Sequence, residues 1–171
     1  MRNIEIKARL RDVERAAAVA VELAGPPAAE LRQVDTYFHV ADGRLKLREI
    51  TGDETSAELI FYRRPDIPGP KPCDYLRAPV DSPDEIKATL AAALGVWVVV
   101  DKFRTVHLWR NVRIHLDRVE GLGAFLEFEA VLDENQTDDD GAALLDTLSA
   151  HFQLNPPDRV EGSYSDLMAK A

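Results

Sequence analysis

Charged and apolar residues alternate one for one along several short runs of this chain: Asn3-Ile4-Glu5-Ile6-Lys7, Lys46-Leu47-Arg48, Arg113-Ile114-His115-Leu116-Asp117 and Glu127-Phe128-Glu129. Alternate residues of a β-strand share a face. Each run therefore has one apolar face and one face with charges of both signs. Residues 2–10 read as a first strand, and Asp12 opens an alanine-rich helix to about Ala24, closed by Gly25-Pro26-Pro27. Residues 31–40 and 44–51 form a hairpin around Asp42-Gly43, and residues 56–64 another strand. The four prolines of residues 65–72 remove donors and impose a loop, with a strand resuming from about Cys73 to Val80. Ser82-Pro83-Asp84-Glu85 has the form of a capping box with proline at the first helical position, predicting a helix that stops at Gly95. Strands follow near 96–108, 112–119 and 124–133, then a helix over residues 138–152, and residues 156–171 read as a short terminal helix after Pro156-Pro157.

About eight strands with few helices predict an α+β fold built on a closed antiparallel β-barrel, because closure removes exposed strand edges. In that arrangement the charged faces point inward and helices flank the outside. A two-layer sheet with its charges in water is the competing arrangement.

Composition narrows the class. A chain of 171 residues suits one domain, 1–171, and its 46% apolar and 30% charged content is that of an ordinary globular protein. A formal net charge of −9 argues against nucleic acid or an anionic membrane surface as the main partner. A single cysteine, Cys73, fits a reducing cytosol, and no apolar run approaches the roughly 18 residues of a spanning helix. The expected location is the cytoplasm.

If the charged faces converge inside a barrel, their cations need counter-charges, since desolvating each costs several kcal/mol. A polyanion supplies them. Glu5, Glu127 and Glu129 offer hard oxygen ligands suited to Mg2+ or Mn2+. Cations for phosphate oxygens beside acids for a metal form the recurring equipment of phosphoryl transfer, and a linear triphosphate fits such an interior best. His39, His107 and His151 lack metal-ligand spacing, and Trp97 and Trp109 read as packing residues. The acidic stretch 133–140 reads as a solvated helix opening.

Several of these segments resemble the CYTH, or triphosphate tunnel metalloenzyme, superfamily. Asn3-Ile4-Glu5-Ile6-Lys7-Ala8-Arg9 is similar to its N-terminal Glu-x-Glu-x-Lys signature. Gly43-Arg44-Leu45-Lys46-Leu47-Arg48, the run from Leu59 to Asp66, Lys102-Phe103-Arg104 and the run from Ile114 to Glu129 resemble later family segments in the right order. Ser163-Tyr164-Ser165-Asp166-Leu167 does so near the end. The resemblance spans essentially the whole chain and is strongest to the branch that includes class IV adenylyl cyclases.

The resemblance implies an eight-stranded tunnel and metal-dependent chemistry on a triphosphate. Glu5, Glu127 and Glu129 would hold the metal, with Asp117 joining directly or through water. Lys7, Lys46, Arg48, Lys102 and Arg104 would grip phosphate, with Arg113 as an added contact. Glu5, Lys7, Arg48 and Asp117 are the expected catalytic set. Of Arg63 and Arg64, adjacent on one strand, only one can face inward. His115 reads first as a hydrogen-bonding partner for a carboxylate. Asn3 stands where the signature has its first glutamate, so one negative charge is missing and a second metal site is weakened. The substrates implied are ATP for a cyclase, or tripolyphosphate, thiamine triphosphate or a nucleotide for a hydrolase. A non-catalytic triphosphate or polyphosphate-binding protein is the third reading. Related proteins are often dimers, so a homodimer is also expected.

Overall fold

The structure, a computed structural model, describes every residue except Met1, Glu54, Arg64, Asp66, Pro68 and Ala171. In chain order the elements are β1 (Arg2–Arg9), α1 (Val13–Ala24), β2 (Ala29–Phe38), β3 (Arg44–Thr51), β4 (Thr55–Arg63), β5 (Lys71–Pro79) and α2 (Pro83–Leu94). They continue with β6 (Val96–Trp109), β7 (Val112–Val119), β8 (Gly123–Val131), α3 (Asp138–His151) and α4 (Tyr164–Met168). The strands close in the order β1-β5-β4-β3-β2-β6-β7-β8. β1 pairs antiparallel with β8, opposing Glu5 to Glu129 and Lys7 to Glu127. This seam turns a sheet into a barrel and excludes the open two-layer arrangement.

The strand pattern decides what the barrel buries on each side. Ile4 and Ile6 of β1, Ile114 and Leu116 of β7, and Leu126 and Phe128 of β8 form one apolar cluster with Ala16 and Ala20 of α1 and Leu145 and Leu148 of α3. The main core therefore lies outside the barrel, under two helices, and the alternate residues of the same strands are left to face inward. A second cluster, with Tyr37, Tyr62, Val100, Phe125, Val160 and Tyr164, fills the barrel where α4 enters.

Local chemistry explains the boundaries. Asp12 caps α1 by accepting from the Arg15 amide at 2.9 Å, and Gly25 ends it with φ of 78°. In the β2–β3 connection Gly43 has φ of 71°, and a Cβ there would lie 2.8 Å from both Phe61 Cζ and the Tyr62 carbonyl oxygen. Only glycine fits.

Three elements depart from the sequence reading. The Ser82 side chain makes no capping hydrogen bond to α2; Pro83 supplies a fixed φ and lacks the first N–H, so the helix starts without that cap. β5 begins at Lys71 rather than near Cys73, because proline is tolerated at a strand's opening and Pro72 pairs opposite Ile4. Residues 156–171 hold a 3₁₀ turn at Pro156–Asp158 followed by the five-residue α4 rather than one helix. Between them Val160 donates its amide to the Lys7 carbonyl at 2.8 Å, tying the segment to β1 before Ser163 caps α4.

The proline-rich loop is anchored by Lys71, whose ammonium donates to the carbonyls of Ile67, Val160 and Glu161 at 2.9, 3.2 and 2.7 Å. His107 is buried, with Nδ1 3.0 Å from the Gly25 carbonyl oxygen at the end of α1. Trp97 meets Tyr37 edge-on and Trp109 packs against the main cluster, so both serve packing. No described helix is long and apolar enough to cross a membrane.

α3 reaches β1 through a glycine: a Cβ on Gly141 would sit 2.7 Å from Ile4 Cγ1 and 3.0 Å from Leu132 Cδ2. Gly141→Ala is expected to destabilise the fold by about 1–3 kcal/mol through overpacking, read as a lower denaturant midpoint at unchanged slope.

Candidate functional site

The inward positions of the strands surround a cavity of about 280 Å³. Glu5 and Lys7 enter it from β1, Lys46 and Arg48 from β3, and Lys102 and Arg104 from β6. Arg113 and His115 enter from β7, and Glu127 and Glu129 from β8. Asp117 lies behind them at 3% exposure, bound to Arg104. Of the remaining expected residues, Arg63 points outside, 63% exposed at its side chain and 2.6 Å from Asp42. Its odd position sends it away from the face of β4 that carries Glu58, Ile60 and Tyr62 into the cavity. That corrects its candidacy as a phosphate ligand. Arg64, the other member of the pair, lies outside the described residues.

Two walls of different character face one another. On the β2–β3–β6 side, Asp35 is 1% exposed and gathers three cations. Arg48 donates twice to it at 2.7 Å, Lys46 donates at 2.8 Å, and Lys102 stands at 3.4 Å. On the β1–β7–β8 side, Asp117 of β7 and Glu127 of β8 receive Arg104, which reaches across from β6, at 2.7 and 2.6 Å and at 2.6 Å. Lys7 pairs with Glu127 and lies over the Tyr164 ring at 4.0 Å. The Tyr164 hydroxyl donates to Asp117 at 2.7 Å. His115 Nδ1 is 3.4 Å from Glu127 and 4.0 Å from Glu129, as its reading as a carboxylate partner expects.

The charges survive burial by mutual compensation. Burial alone raises the Asp35 carboxyl, and the fields of Arg48, Lys102 and Lys46 override it and hold the group well below the ordinary carboxylate range. Burial likewise works against ionised Glu127, and Lys7 and Arg104 reverse the balance. Asp117 is held low because Arg104 outweighs its burial. Tyr164 is pushed well up by burial and by Asp117 and Glu127, so it keeps its proton and acts as a donor. Lys102 is the exception. Desolvation outweighs the attraction of Asp35, with Arg48 and Arg104 adding repulsion, and its ammonium is pushed down to about 7.

The residues fit a hard divalent cation. Among the described residues, His115, Glu127 and Glu129 offer ligand atoms within 4.8 Å of one another. Asn3 Oδ1, on the same cavity, is buried without a hydrogen-bond partner. Glu5 lines the same wall and stands opposite Glu129 in the strand register. Carboxylate and amide oxygens suit magnesium and manganese, and an imidazole nearby tilts such a set towards the transition metal.

The sequence alone does not mark Asp35 or Tyr164 as a site residue. Asp35 was legible in principle, since Gln33, Asp35 and Tyr37 share the alternation seen elsewhere. Tyr164 comes from a terminal segment whose spacing gives no hint that it enters the barrel.

A closed antiparallel barrel with carboxylates and cations packed on its inner surface defines a tunnel lined by charges of both signs. The chain belongs to the CYTH domain family, which matches residues 1–164. No curated protein matches the sequence. The fold is that of the PH1012 protein from Pyrococcus horikoshii, at 23% identity and a TM-score of 0.85 over 96% of this chain and 98% of that one. It is shared by a protein from Vibrio parahaemolyticus described as a "putative adenylate cyclase", at 19% identity and 0.78 over 98% and 97%. A chain of the Schizosaccharomyces pombe Mediator head module also shares it, at 11% identity and 0.66 over 90% and 95%.

The depressed Lys102 ammonium has a measurable consequence. Its folded value lies below the unfolded lysine value of about 10.4, so this group makes stability rise with pH from about 7 towards that value. A bound anion restores the charged form. Tripolyphosphate binding at pH 8 is therefore expected to take up protons, seen in calorimetry as a heat that varies with buffer ionisation enthalpy. The uptake should fade below about pH 6 and shrink in Lys102→Arg.

Proposed function

We propose that this protein is a metal-dependent adenylyl cyclase that converts ATP to cyclic AMP and pyrophosphate within the tunnel. The observation that carries the reading is the pair of opposed walls around one cavity, cations gathered on Asp35 facing carboxylates grouped near His115. Lys46, Arg48, Lys102 and Arg104 would take the phosphate oxygens, exchanging part of their bonding to Asp35 and Asp117 for bonds to substrate. Glu127, Glu129 and Glu5, with Asn3 and His115 beside them, would hold a magnesium or manganese ion, which supplies charge neutralisation on the phosphates when bound. In the reaction the ribose 3′ oxygen forms a bond to the α-phosphorus and the α–β bridging bond breaks in line. Pyrophosphate departs, and the hydroxyl proton passes to a carboxylate of the acid wall. The cations stabilise the charge that develops on the leaving group, and their fixed positions spare the reaction the cost of reorganising water. The family membership and the likeness to the Vibrio protein support this reading.

Hydrolysis of a triphosphate by the same site is the second reading, favoured by the same cation wall. Asn3 separates the two. It leaves one negative charge fewer where a second cation would prepare water, and so favours attack by a substrate hydroxyl.

Incubation with ATP, tripolyphosphate and thiamine triphosphate under magnesium or manganese tests the proposal. Cyclic AMP with pyrophosphate is the expected outcome; inorganic phosphate alone would assign hydrolysis, and binding without turnover a non-catalytic role. In Arg48→Ala, Asp35 keeps Lys46 and Lys102, so the fold should survive. The loss of charged contacts should lower kcat/KM by the equivalent of about 1.5–3 kcal/mol, with an unchanged circular dichroism spectrum as the control.

A further inference from the structure

β6 is longer than the strand that follows it. β7 pairs with it only over residues 102–109, and the last backbone bond on that side runs from the Glu120 amide to the Asp101 carbonyl at 2.9 Å. On the other side β2 accompanies β6 as far as Val96, and His39 donates its amide to the Gly95 carbonyl at 3.2 Å. Residues 96–100 are therefore laddered along one edge alone. The Asp101 carbonyl points away from β2, and backbone groups two residues apart in a strand share a direction, so the N–H and C=O of Val99 also face the open side.

The side chains leave that edge unguarded. The segment reads Val96-Trp97-Val98-Val99-Val100, with neither the lysine nor the proline that soluble proteins place on exposed edges. Trp97 and Val98 pack on the cluster beside α4, while Val96 and Val99 are 42% and 45% exposed. Of the nine large apolar side chains exposed among the described residues, four gather here: Val96, Val99, Leu94 just before the strand, and Val40 just beyond its ladder with β2. α2, which leads into the segment, has no buried residue. Apolar surface concentrated along a free backbone edge is what an added strand covers.

We propose that the overhang of β6 pairs antiparallel with the same segment of a second copy of this chain, joining two barrels about a two-fold axis near Val98. The segment is its own complement. In that register Val96 of one copy faces Val100 of the partner subunit, and no two charged residues oppose one another. The neighbouring charges, Arg32 and Asp101, are paired at 2.6 Å, so this end of β6 is locally neutral in a chain of net charge −9. The lengths match as well. Gly95, at φ of 76°, turns the chain out of the strand direction just before Val96, so each copy leaves the shared ladder where β7 of the other begins. The pairing lies outside the tunnel and does not depend on what the tunnel holds.

Sedimentation equilibrium at about 100 μM protein, combined with amide hydrogen exchange on the full chain, tests the pairing. The wild type should sediment at twice the mass of one chain, and exchange of the Val99 amide should slow as the protein is concentrated. Val99→Lys places two ammonium groups beside the axis, and Val99→Pro removes the N–H without breaking a bond to β2. Each should weaken the dimer about tenfold or more, with an unchanged circular dichroism spectrum showing an intact barrel. Val99→Thr, which keeps the amide and the strand preference, should dimerise as the wild type does. A monomer at that concentration, an assembly larger than two copies, or a dimer that both disruptive variants leave unchanged overturns the proposal. So does a Val99 amide that exchanges equally fast in dimer and monomer.

Discussion

The organisation of this protein depends on the cost of placing ionised groups where water is scarce. Asp35, at 1% exposure, is tolerable only because Lys46, Arg48 and Lys102 converge on it, and those cations are tolerable only because Asp35 is there. The same reciprocity links Arg104 to Asp117 and Glu127. Such pairs contribute little net stability over an apolar core of the same volume, since desolvation consumes most of the Coulombic gain. Their value lies in arrangement. They hold the cations in fixed places, and the apolar cluster outside the barrel supplies the stability that the inside does not.

Much of this was visible in the sequence because a strand converts alternation into two faces. The runs around Glu5, Lys46, Arg113 and Glu127 gave the barrel and most of its inner surface, since one parity was apolar and the other charged in each. Where the signal failed, the reason is physical. Parity says which residues share a face but not which face is inside, so Arg63 read as a candidate until β4 turned it to Asp42. Asp35 shares its strand with Arg32 and Thr36, and a mixed polar strand resembles a solvated one. Tyr164 reaches Asp117 from a segment whose position depends on tertiary contacts alone. The capping sequence at Ser82 was genuine as a pattern, yet the proline beside it made the side-chain bond dispensable.

Fold and function separate cleanly here. The same barrel occurs in a chain of the Mediator head module and in a protein described as a cyclase, so the architecture alone does not fix a reaction. In this chain the inward row carries aromatic residues beside α4 and ionised groups next to them, with Leu31, Ile50 and Val106 lining the same cavity.

The seam between β1 and β8 carries a consequence for how the chain acquires its shape. Lys7 and Glu127 are separated by 120 positions, so the ring cannot shut until most of the polypeptide is in place. Contacts that distant make for slow folding, because loop entropy is lost before any pairing rewards it. While that seam is open the inner faces of β1 and β8 lie in water, so the ion pairs that cross it, Lys7 with Glu127 above all, form only when the first and last strands meet.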